Sequence, residues 1–146
     1  MSTELHTNIT YMGLSLPSPF VAASSSVTST IEGIVACAEA GAGAVVVKSL
    51  FEEQIMALTE YEMDNTEDTL YLPEAADYVA NYTKENAIGD YLKLINEAKK
   101  RVSIPVIASI HCVSAQHWTR FAKEVELAGA DAIELNVYLP AYDKSH

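Results

Sequence analysis

Two polar residues stand where apolar strands run out, and they pose the chemical question. Lys48 follows the run AVVV at residues 44–47, and Asn136 follows AIEL at residues 132–135. A buried ammonium left unpaired is costly, so Lys48 must meet an anion, a carboxylate or a cofactor oxygen. One candidate is internal: Glu134 shares a side of its strand with Asn136 by alternation and could pair with Lys48. Asn136 offers two donors and an acceptor, a set suited to the edge of an amide or imide, or to satisfying a polar core. Ser24 and Ser109 also close apolar runs, though a lone serine there is more often a turn residue than a ligand. His111 and Cys112 follow a third strand, but adjacent residues on an extended chain point opposite ways, which argues against a Cys–His nucleophile pair.

These residues need a scaffold of alternating strands and helices. Residues 5–16 predict a small hairpin turning at Met12 and Gly13, and residues 20–23 a first core strand ending in Ala23 and Ser24. A capping box at residues 29–32 starts a helix that stops at Gly41. A second strand covers residues 44–48. An acidic excursion, residues 51–89, separates it from a helix over residues 90–101, and connections of that length often serve as lids or binding loops. Strand three covers residues 104–110. A helix from near Ser114 ends at Gly129 in a left-handed stop, and strand four begins at Ala132. The strand–helix–AGA–strand pattern thus occurs twice, which suits an α/β barrel or a doubly wound sheet. Four parallel strands are half of what a closed eight-stranded barrel needs. The expected architecture is one partial α/β domain over residues 1–146, the N-terminal half of a TIM-type barrel preceded by a hairpin.

Composition narrows the partners. The 146 residues are 49% hydrophobic and 20% charged, with a net charge of −11. Such a chain is a poor match for nucleic acid or an anionic membrane. Nine acidic residues fall between Glu52 and Asp77, with no Lys or Arg from Ser49 to Thr83, the pattern of a solvated face. Cys37 and Cys112 lack zinc-like spacing and read as reduced thiols of a cytoplasmic protein, so no metal is expected. No GxGxxG, Walker loop or HExxH motif is present.

Taken together, PFVAAS (residues 19–24), AGAGAVVVKS (40–49), PVIASI (105–110) and GADAIELN (129–136) resemble the N-terminal half of the dihydroorotate dehydrogenases, FMN-containing α/β barrels of pyrimidine biosynthesis. The pieces are individually common; their order and spacing carry the resemblance, which covers nearly the whole chain. It implies an FMN-dependent oxidoreductase acting on a CH–CH bond of a small substrate. Ala23 and Ser24 match the family's flavin-contacting Ala-Ser. Lys48 and Ser49 match its Lys-Ser, whose lysine approaches the flavin ring. Asn136 matches the asparagine that touches both flavin and substrate.

The chain departs from the family at three places. VYLPA (residues 137–141) puts Leu139 at the position of the catalytic base and Ala141 at that of a substrate-binding Asn, and a leucine accepts no proton. DTLYLPE (residues 68–74) sets Asp68 and Glu74 where amides normally grip a carboxylate substrate. The loops that hold the flavin phosphate belong to the barrel's other half. The half-length chain is therefore not expected to turn over alone. Two other readings stand beside the oxidoreductase: a non-catalytic half-barrel that self-associates into a homo-oligomer through open strand edges, and an aldolase-type barrel using Lys48 as a Schiff-base amine.

Overall fold

A computed structural model describes the backbone of residues 8–51, 73–111 and 115–137, and the side chains of residues 8–51, 86–111 and 118–137. It opens with a hairpin, β1 (Ile9–Tyr11) and β2 (Leu14–Leu16), joined through Met12 and Gly13 at φ 50° and 78°. Two successive positive φ angles make the mirror-image turn that follows the right-handed twist of the strands. The turn stands where the sequence predicts it; residues 5–7 of the expected hairpin lie outside the described residues.

The chain then runs through β3 (Val21–Ala22), a 3-10 turn (Val27–Ser29), α1 (Ile31–Glu39), β4 (Ala44–Val46) and β5 (Leu50–Phe51). It continues with α2 (Pro73–Arg101), β6 (Val106–His111), α3 (Ala115–Leu127) and β7 (Ala132–Leu135). The cap of α1 falls one residue later than expected. Ser29 Oγ donates to Ser26 O at 2.6 Å, so Thr30 Oγ1 takes over and accepts the Gly33 N–H at 3.2 Å. Gly41 and Gly129 carry the helix stops at φ 91° and 96°, as predicted.

The larger correction concerns α2. Its start was expected at Asp90, after an excursion ending at Gly89; the helix starts at Pro73 and runs for 29 residues. Proline at the first helical position loses no hydrogen bond, because that N–H has no partner within the helix. Gly89 sits inside the helix with open space around the place a Cβ would take. One such glycine costs about 1 kcal/mol, which burial of Ile88, Tyr91, Ile95 and Ala98 on the same helix outweighs. Residues 52–72 of the expected excursion lie outside the described residues.

β3, β4, β6 and β7 form a parallel sheet in that order, with β5 also paired to β6. Each strand joins its successor through a helix, and β3 and β7 end the order with outer edges that no strand among the described residues pairs. A mixed α/β fold with an N-terminal hairpin and a parallel sheet therefore agrees with the sequence. One face of the sheet carries Val45, Val47, Val106, Ala108 and Ile110, packed on Ile34 of α1, on Tyr91, Ile95 and Ala98 of α2, and on Phe121 and Val125 of α3. The other face carries Ala44, Val46 and Ile107 and is covered at one end by Leu16 of the hairpin. A cleft of about 280 Å3 lies between hairpin and sheet there, lined by Tyr11, Met12, Val21, Val46 and Ile107 among others. Among the described residues, no helix is long and apolar enough to cross a membrane.

β4 and β5 are one strand interrupted. Val45 and Val46 pair with Val106 and Ile107, whereas Leu50 and Phe51 pair with Ile110 and His111. Three residues, 47–49, therefore face two on β6, residues 108 and 109. This is a β-bulge, the device that re-aims side chains beside functional sites. It falls on Lys48 and Ser49.

Candidate functional site

The bulge opens the ladder at one rung. Val45 N–H donates to Pro105 O at 3.0 Å and Val47 N–H to Ile107 O at 2.9 Å, and a regular parallel ladder would next pair Ser49 N–H with Ser109 O. Instead Ser49 N–H turns to Ser24 Oγ at 2.8 Å. The freed Ser109 N–H and C=O are both taken by the Tyr91 hydroxyl of α2, which accepts from the one and donates to the other, each at 2.8 Å. Buried backbone groups need partners, and here a helix side chain supplies them. Burial pushes the Tyr91 phenol well above its ordinary 10.0; its hydrogen bond with Ser109 pulls the other way, and the charge of Glu134 adds to the rise.

On the sheet face opposite the helices, at the carboxyl ends of the strands, polar side chains from four strand ends converge. Ser24 Oγ lies 2.9 Å from Ser49 Oγ, and Ser49 Oγ lies 2.7 Å from Ser109 Oγ. Ser109 Oγ donates to Glu134 Oε1 at 2.6 Å. Asn136 Nδ2 donates to both Ser49 Oγ and Ser109 Oγ, at 3.0 and 2.8 Å. Register accounts for the convergence: Ser109 pairs with Glu134 across β6 and β7, one step beyond the apolar pair Ile107 and Ala132 on the same face. Beside the cluster, His111 Nδ1 sits 2.5 Å from Asn136 O, while Asn136 N–H donates to Ile110 O at 3.0 Å. The carbonyl requires that Nδ1 carry the proton. The imidazole is buried, 5.5 Å from the Phe51 ring and 6.3 Å from the Trp118 ring.

Of the residues singled out from sequence, Ser24, Ser49 and Asn136 meet in this network, and Ser109 is at its centre. Ala23 is exposed beside it at the end of β3. Lys48 is not part of it. Its backbone N–H donates to Thr28 O at 3.2 Å, and the residue lines a cleft with Ser29, Ser49, Asp90, Tyr91 and Leu94 between the bulge and α2. Lys48 is exposed, and among the described residues its ammonium has no carboxylate partner. The internal Lys48–Glu134 pair weighed from sequence is therefore not formed; Glu134 takes the Ser109 hydroxyl instead. Cys112, Leu139 and Ala141, and the side chains of Asp68 and Glu74, lie outside the described residues.

Sequence reasoning missed two participants. Tyr91 read only as part of the apolar stripe of a helix, and Glu134 only as a possible lysine partner. An acid between Ile133 and Leu135, two residues before a polar strand end, was the available signal for Glu134. Nothing local marked Tyr91, because its role depends on a rung opened elsewhere.

Chemically the cluster is a row of hydroxyls ending on a carboxylate, with an amide oxygen that has no partner among the described residues. No protein-family model matches the chain. It is 29% identical over 135 residues to the NAD-dependent dihydropyrimidine dehydrogenase subunit PreA of Escherichia coli K12, and equally to that of Escherichia coli O157:H7. The match takes in 91% of this chain and 32% of each relative, so the chain spans about a third of the length of the curated relatives it resembles. The comparison shows a distant similarity to about one third of a dihydropyrimidine dehydrogenase subunit.

Proposed function

We propose that this chain is the N-terminal half of a (β/α)8-type barrel in a flavin-dependent oxidoreductase of the dihydroorotate and dihydropyrimidine dehydrogenase kind. Its cluster would receive the ring of FMN and the edge of a small pyrimidine-type substrate. The observation that carries this reading is the convergence of Ser24, Ser49, Ser109, Glu134 and Asn136 at the carboxyl ends of four parallel strands, where α/β folds hold their ligands.

The residues fit a flavin ring. Asn136 Oδ1 has no partner among the described residues and suits a ring N–H. Lys48, whose ammonium has no carboxylate partner among the described residues, would have to reach round from the cleft beside the bulge to meet an electron-rich ring edge. Ala23 and Ser24 offer exposed backbone and a hydroxyl alongside. The sequence has no glycine-rich phosphate loop, so the phosphate would be held elsewhere. FMN, when bound, supplies the hydride acceptor; the chain's part is to orient the ring, neutralise charge and fix the substrate edge.

The substrate we favour is an uncharged dihydropyrimidine rather than dihydroorotate. Asp68 and Glu74 stand in sequence where the resembling family grips a carboxylate, and like charges there would repel one. Leu139, at the family's base position, accepts no proton, so none of the described residues is assigned that role. NAD dependence, which the relatives' name states, would require regions outside this third. A cytoplasmic setting with reduced thiols accords with the same reading.

The test is a titration of flavin into the purified chain, followed by quenching of flavin fluorescence. Saturable binding of FMN and of phosphate-free lumiflavin, weakened at least about tenfold in Lys48→Ala and Asn136→Ala, supports the reading. Absence of saturable quenching up to ~1 mM flavin, or quenching indifferent to both substitutions, overturns it; at that concentration the interaction would be worth only about 4 kcal/mol.

A second reading, a non-catalytic fragment that self-associates, is favoured by the two sheet edges left unpaired among the described residues and the exposed Phe20 and Val21 beside one of them. A colourless dimer that ignores flavin would select it.

A further inference from the structure

The orientation of Asn136 follows from a count of protons. Glu134, as a carboxylate, can only accept, so the Ser109 hydroxyl 2.6 Å away must give it its single proton. Ser49 Oγ, 2.7 Å from an oxygen that has no proton left, must donate to Ser109. Ser24 Oγ, 2.9 Å from Ser49 Oγ, must donate in turn to Ser49 and accept the Ser49 N–H. Every hydroxyl in the row therefore points its proton toward Glu134. The Asn136 amide approaches Ser49 Oγ and Ser109 Oγ at 3.0 and 2.8 Å. Neither oxygen has a proton to offer, so only the NH2 group can face them. The NH2 group is thereby turned to the serines, and the carbonyl oxygen Oδ1, without a partner among the described residues, is the atom left for a ligand.

We propose that Glu134 is a positioning residue: by taking the Ser109 proton it polarises the serine row and locks Asn136 with its carbonyl oxygen outward, so that the site selects ring ligands presenting an N–H edge. Reversing the row would turn the amide and present NH2, which selects bare acceptors such as a ring carbonyl. The site's choice between the two is set by a carboxylate that need not touch the ligand. The locking stands on the hydrogen-bond geometry alone; the ligand class rests on the flavin and pyrimidine reading above.

The experiment uses the whole chain, labelled with 15N, as wild type and as Glu134→Gln. The substitution keeps shape while allowing either polarity, because a glutamine amide can donate or accept. In wild type the Asn136 side-chain amide protons should be separately resolved and protected from exchange. In E134Q their exchange should accelerate about tenfold and their shifts should move. Fluorescence titration with lumiflavin and 3-methyllumiflavin, which replaces the imide N–H by N–CH3, gives the second readout. Wild type should prefer the N–H compound at least about tenfold and E134Q less than about threefold, since a hydrogen-bonding site rejects an analogue lacking its donor. An Asn136 amide unchanged in E134Q overturns the proposal, as does an undiminished preference. A changed amide without lumiflavin binding to either protein upholds Glu134's role and overturns the flavin reading instead.

Discussion

Replacing Tyr91 with phenylalanine removes one oxygen and disarms two backbone groups. The hydroxyl accepts from Ser109 N–H and donates to Ser109 O, both at 2.8 Å, and Ser109 is fully buried. An orphaned buried donor or acceptor costs about 1–3 kcal/mol, so two of them, partly relieved by an entering water, predict a loss of about 2–4 kcal/mol. For a chain of this size the melting temperature should fall by roughly 5–15 °C. Urea unfolding followed by circular dichroism measures the loss, and hydrogen exchange locates it at the Ser109 amide. A second signature is pH. Burial holds the Tyr91 proton in the folded state, so above its ordinary 10.0 the unfolded chain gives up that proton first. The native state then binds more protons than the unfolded state, and stability falls as pH rises. This contribution is complete below pH 10 and is lost above it, and it should be missing from the Tyr91→Phe protein. A stability change under about 0.5 kcal/mol, with the Ser109 amide still protected, would refute the reasoning that the hydroxyl replaces a rung of the sheet.

Gly43→Ala should abolish soluble expression or cost well over about 2 kcal/mol, because its Cβ would sit 1.8 Å from Ser18 O, backbone that cannot step aside; circular dichroism and expression yield check this. Asp131→Ala should cost about 1.5–3 kcal/mol in urea unfolding, since Asp131 Oδ2 accepts the Val106 N–H and the Lys99 ammonium, each at 2.7 Å. Calorimetric titration should give an FMN dissociation constant above ~10 μM, close to that of lumiflavin, because the phosphate contributes little where no backbone cradle receives it; sub-micromolar FMN binding would contradict this. Self-association should be concentration-dependent in sedimentation and strengthened by salt, which screens the charge of −11 on each copy. Hiding ~400 Å2 of apolar surface offers ~10 kcal/mol, against an association cost of about 4–15 kcal/mol; a monomer at all concentrations with a sharp melt would exclude it.

The sequence announced what local chemistry decides. Gly41 and Gly129 stop helices because only a residue without a Cβ takes positive φ cheaply, and the strand after each follows from its apolar run. Ser24 and Asn136 were legible as candidates from their places at strand ends and Ser49 from the resemblance, and the three do meet in one network. Where longer-range packing decides, local signals misled. Gly89 looked like a boundary, yet Ile88 and Tyr91 bury on either side of it, and packing overrides a single poor helix former. Ser29 looked like the cap of α1, but its hydroxyl was claimed by Ser26 O, a competition within the turn that residue type alone does not rank. Glu134 was assigned the right face but the wrong partner, because the bulge took Lys48 out of simple alternation.

That bulge also fixes the parity of its strand. Before it, even-numbered residues, Ala44 and Val46, face the hairpin side and odd-numbered ones the helices. After it, Leu50, an even-numbered residue, packs with the helix-side core, paired to Ile110. Deleting any one residue of 47–49 would restore an unbroken ladder and close the rung that Tyr91 now fills. The same deletion would leave everything downstream in register: Leu50 would follow Val46 by three residues, as Ile110 follows Ile107, still paired to Ile110 and still on the helix side. The strand could therefore lose its irregularity and keep its core contacts; what would go with the extra residue is the open rung and the placing of Ser49 in the polar cluster. A feature that looks like an interruption is one residue more than the sheet needs, and a single-residue deletion at 47–49 should spare the fold while dismantling the polar cluster.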